Sequence, residues 1–218
     1  MVLDKGQATA SERIRHDARV YITGLAERLE DLSQLTQSAG EFDHFDPENY
    51  GRFKNFFLLF LKRVEESQIL CAMIEETLTL PERLGLSLWW NDRDELETHY
   101  HTLRLAVLRL ATATTCSLLK VWEDRLTQGN GLPYGSAEMF EEMLRAIEEA
   151  KDYLAESGDG EDSIHTGAIE AESLLHALID QAPRYRSFDK DSEAVIDPPP
   201  DPDDHPFEMG INSGPPGP

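Results

Sequence analysis

Between residues 92 and 126 the chain repeats one pattern. Leu96, Tyr100, Leu103, Val107, Leu110, Thr114, Leu118 and Val121 follow one another in steps of four and three. That spacing keeps one stripe on one side of an α-helix. Asp92 followed by Glu95 forms a capping box at its start, and Gly129-Asn130-Gly131 closes it. A helix of this length runs roughly 50 Å at 1.5 Å per residue. It is long enough to be the spine on which other helices pack.

Four more helices follow from the same periodicity. The first spans 11–37, capped by Ser11, with Ile14, Ala18, Tyr21/Ile22, Leu25, Leu29 and Leu32 inward. Gly24 inside it costs roughly 1 kcal/mol against Ala and admits a close neighbour. Asp46-Pro47 starts the second, with Asp as N-cap and Pro at the first helical position. Pro81 is expected to stop it at Leu80. Residues 56–61 are apolar all round, which places that turn at the centre of the bundle or, failing that, at an oligomer interface. The fourth helix, 136–156, is capped by Ser136 and turns Phe140, Met143/Leu144, Ile147, Ala150 and Leu154 inward. The fifth, 163–181, turns Ile164, Ala168, Ala171, Leu175 and Leu178/Ile179 inward. No stretch alternates apolar with polar for long, so no strand competes. The fold class is all-α: a bundle of about five helices.

The connectors carry their own signals. Phe42 and Phe45, between the first two helices, are expected to fold back onto the core. Residues 81–91 hold Trp89 and Trp90, read as a hydrophobic plug over the bundle end or as an anchor for a partner. Residues 1–10 read as a flexible N-terminal arm and 11–186 as the helical domain. Residues 187–218, rich in Pro, Asp and Gly, read as a disordered acidic tail with too little apolar surface to offset chain entropy. Phe207, Met209 and Ile211 form a small apolar island within it, a candidate docking motif.

Charge narrows the function. The formal net charge is −22 over 218 residues. Residues 136–180 hold thirteen acids against Arg145 and Lys151, and the tail holds eight acids against one lysine. Such a field repels phosphate backbones, so nucleic-acid binding over a broad surface is not expected. It favours basic partners. Cys71 and Cys116 sit among apolar residues and read as buried free thiols. The N-terminus shows no apolar signal region. The longest uninterrupted apolar run, 56–61, is far short of a membrane span. The expected location is cytoplasmic or otherwise intracellular, away from membranes.

The densest polar cluster is residues 93–101. Glu95/His99 and Glu97/His101 each share a helix face, but the two pairs lie about 200° apart around the helix and cannot hold one ion together. No metal motif accompanies them, so neither a metal nor another cofactor is expected. No nucleophile motif surrounds Cys116. Residues 111–117, all small, are expected to pack closely against the 56–61 turn.

Arg93 and His99, with five residues between them, resemble the Arg-x(4–6)-His element of the HEPN family of all-helical RNases. In that family Arg and His from two protomers converge on a cleft and assist attack by the ribose 2′-hydroxyl. The resemblance implies a metal-independent RNase acting across a dimer. Because the acidic surface opposes RNA, this is the alternative reading. The leading one is a non-enzymatic interaction or regulatory protein, of adaptor or inhibitor type, binding a protein partner of basic character, with a homodimer also compatible. Its candidate contact residues are Trp89, Trp90, Glu141, Glu142, Glu148, Glu149 and Phe207.

Overall fold

The computed structural model describes residues 5–84, 93–157 and 162–184. They form five α-helices: α1 (Lys5–Ala39), α2 (Tyr50–Arg83), α3 (Arg93–Thr127), α4 (Ser136–Ser157) and α5 (Asp162–Ile179). A 3-10 turn, Pro47–Asn49, leads into α2, with the Asp46 carboxylate accepting from the Glu48 amide. Among the described residues there is no strand. The expected bundle is present. Trp89, Trp90, Asp92, Phe207 and the expected tail lie outside the described residues.

Specific contacts fix the packing directions. α1 and α2 are antiparallel: Leu70 lies beside Gly24, and Arg28 reaches Glu66. α3 runs back along α2, meeting Tyr50 through Trp122 at one end and Glu75 through Arg104 at the other. α4 reverses again, with Phe140 beside Trp122 and Tyr153 beside His101. α5 returns parallel to α3, with Glu170 at Lys120. α3 is therefore the spine, flanked by α1 and α5, with α2 and α4 facing its inner side.

The predicted α3 stripe is buried except for Leu110, which is half-buried. Trp122 extends it and is 1% exposed. Its indole is ringed by Tyr50, Phe53, Phe57 and Phe140 at centroid distances of 6.1, 5.2, 5.6 and 6.1 Å. These edge-on contacts are the geometry that aromatic quadrupoles favour. Phe45 and Phe42 do fold onto the core. Phe42 packs on Phe53 and Phe56. The Phe45 amide donates to Asp124 Oδ2 at 2.7 Å, and its carbonyl accepts from Gln128 Nε2 at 3.1 Å.

Four expectations need correcting. The first helix begins at Lys5, so it takes in part of the segment read as an arm. Pro81 does not end α2, which continues to Arg83. A proline lacks only the one amide that would bond the Thr77 carbonyl, and the Leu84 amide still reaches the Leu80 carbonyl at 3.0 Å. The 56–61 turn is not buried all round. Phe57 and Phe60 are buried, but Leu59 is 43% exposed, because α2 lies at the edge of the bundle. Ser136 does not cap α4 by accepting an amide. Its hydroxyl donates to the Pro133 carbonyl at 2.7 Å, and the turn before it is made by Gly135 at φ +80°.

The small residues of α3 pack elsewhere than expected. Thr114 Oγ1 meets Thr36 Oγ1 of α1 at 2.8 Å. On the other side the Cys116 thiol donates to the Gly167 carbonyl of α5 at 3.0 Å. Small side chains between 111 and 117 thus admit α1 and α5 together. The α2 turn instead meets the larger Trp122.

α3 also carries an 18-residue window apolar enough to cross a membrane, half of it buried in the bundle. The periodic stripe of α3 faces the other helices, while Leu105 and Leu108 beside it are half-buried.

Candidate functional site

Two regions gather the residues with chemistry: a polar seam where α2, α3 and α4 meet, and the outer face of α4.

The seam is built on α3. Tyr100, His101 and Arg104 fall within about one turn, so their side chains enter the same gap between α2 and α4. The Tyr100 hydroxyl donates to Glu75 Oε1 at 2.8 Å. Arg104 Nη1 donates to the Tyr100 oxygen at 2.9 Å and forms an ion pair with Glu75. The Arg104 guanidinium lies over the Tyr153 ring, 3.5 Å from its centroid. The Tyr153 hydroxyl in turn meets His101 Nδ1 at 2.5 Å. One cation thus ties a carboxylate on α2 to an aromatic ring on α4.

The surroundings set the ionisation of this group. Tyr100 is buried, and desolvation pushes its phenol well above the usual range, with Cys71 and Tyr153 adding to the shift. Burial likewise raises the Cys71 thiol, and the nearby Arg104 charge opposes this only in part. A thiol held protonated is a poor nucleophile. Cys116 is similar: burial raises it first, then the Glu170 carboxylate. Both cysteines are free and buried. The seam binds three helices together, and its carboxylate among the described residues, Glu75, is already matched by Arg104.

The residues of the RNase-like element lie at the start of the same helix. Arg93 Nε is 2.7 Å from Glu97 Oε1, and the Arg93 side chain is 15% exposed. His99 is exposed. Six residues of helix turn through about 600°, which sets the two side chains on different sides of α3. Glu95 shares the exposed side with His99, while His101 turns into the seam. Among the described residues no group of three or more His, Cys, Asp or Glu is placed to hold a metal ion.

The α4 face is formed by the reverse of its apolar pattern. Phe140, Met143, Ile147, Ala150 and Leu154 are buried, as predicted. The opposite side presents Glu142, Glu148, Glu149 and Asp152 to solvent. These four make no ion pair among the described residues. Glu141 differs: Arg184, beyond the end of α5, pairs with it at 2.6 Å. Lys151 leans away to Glu172 of α5, also at 2.6 Å, and its hydrogen bond holds the Glu172 carboxyl below its ordinary value. Arg145 is the one base left among the exposed acids.

Sequence reading missed Arg104, Glu75, Tyr153 and Trp122 as site or core residues. Only the Tyr/Arg spacing on one face of α3 hinted at the first. Compared with known proteins, the chain matches no family model, no curated sequence and no solved structure.

Proposed function

We propose that this is a non-enzymatic helical interaction protein whose acidic α4 face docks on a basic surface of a protein partner. The observation that carries the reading is the row Glu142, Glu148, Glu149 and Asp152, exposed and without ion pairs among the described residues. Like charges held along one helix repel one another and favour an oppositely charged partner. Complementary fields of this kind speed encounter and select partners, and salt weakens them. The polar seam supports the same reading. Its charges are matched internally and its thiol is held protonated, so it serves as scaffold.

The test is affinity capture from lysate of the host cell with the native protein and with Glu142→Lys/Glu148→Lys/Glu149→Lys. The native protein should retain a basic chain at low salt and release it as salt rises. The variant should lose that chain while its circular dichroism stays helical. Retention of the same chains by the variant, or of none by the native protein, overturns the reading. So does cleavage of labelled RNA that disappears in Arg93→Ala/His99→Ala.

A further inference from the structure

We draw no further inference here: the strongest candidate, the open groove of about 380 Å3 between the C-terminal end of α1 and the middle of α3, lined by Thr36, Ala39, Phe42, Ala113 and Ser117, carries nothing because nothing in the structure shows what covers it.

Discussion

The Arg104 guanidinium rests face-on against the Tyr153 ring, 3.5 Å from its centroid, while the same side chain holds Glu75. A half-buried cation–π contact of this kind contributes on the order of 1 kcal/mol. Truncating Arg104 also removes the cation beside Glu75 and the donor to the Tyr100 oxygen, leaving Glu75 held by the Tyr100 hydroxyl. Arg104→Ala should therefore cost about 2–3 kcal/mol in urea denaturation. A double-mutant cycle with Tyr153→Leu should give a coupling of about 1 kcal/mol. Arg104→Lys should recover only part of the loss, since a lysine keeps the charge but not the flat stacking surface. Full recovery by lysine would show that charge alone matters.

Two glycines should respond in opposite ways to Ala. A Cβ on Gly167 would sit 3.2 Å from Thr112 Cγ2, and Thr112 is a buried, β-branched residue with little freedom to yield. Gly167→Ala should destabilise by about 1–2 kcal/mol despite the gain in helix propensity. Thr112→Ser removes the offending methyl, so adding it to Gly167→Ala should restore stability. At Gly24 the nearest atom to a new Cβ is Leu70 Cδ2 at 3.6 Å, an ordinary contact. Gly24→Ala should stabilise by about 0.5–1 kcal/mol. Thermal melts of the three variants test both statements.

Trp122 joins α2 to α4 through its aromatic neighbours. Trp122→Ala should cost about 3–5 kcal/mol, with the chain losing cooperative unfolding. Its indole N–H is buried without a hydrogen-bond partner among the described residues. Trp122→Phe removes that donor along with some volume and should cost much less than the Ala change. Near-UV circular dichroism and denaturation midpoints give the comparison.

The Arg28/Arg63/Asp31/Glu66 group that joins α1 to α2 predicts a pH effect. The Arg63 hydrogen bond does most to hold the Glu66 carboxyl below its ordinary value; burial opposes it, and the Arg63, Arg28 and Lys62 charges add smaller pulls in the same direction as the hydrogen bond. A lowered folded value means the contribution is present above the unfolded pKa and is lost as pH falls through the folded one. Because Glu66 is partly exposed, the contribution is about 0.5 kcal/mol. Glu66→Gln should be less stable than the native protein at neutral pH. The gap should shrink below about pH 4, where carboxylates protonate. A gap that grows on acidification would contradict the assignment.

The helices were legible because each needs only local periodicity: the stripes from Ile14 to Leu32, Leu96 to Val121 and Phe140 to Leu154 are largely the buried faces. Neighbour order was not legible in the same way. Residues 111–117 are small whether they face α1, α2 or α5, so their composition did not identify the partner. Arg104 and Glu75 read singly as solvated charges, and only the folded arrangement brings them together across 29 positions of sequence. Trp122 sits one step beyond the last residue of the four-three series, turned toward α2 and α4. The α4 acids were legible as a charged side. Arg184 as the partner of Glu141 was not, because it comes from past the end of another helix.

The aromatic ring around Trp122 has an implication for how the chain assembles. Tyr50, Phe53 and Phe57 come from the N-terminal half of the sequence and Phe140 from the C-terminal half, with the indole between them. During synthesis the emerging α1–α2 pair carries three rings whose cover has not yet left the ribosome. Its greasy interior stays open until α3 arrives, and one side of the indole stays open until α4 follows. The nascent chain is thus most vulnerable to clumping midway through translation.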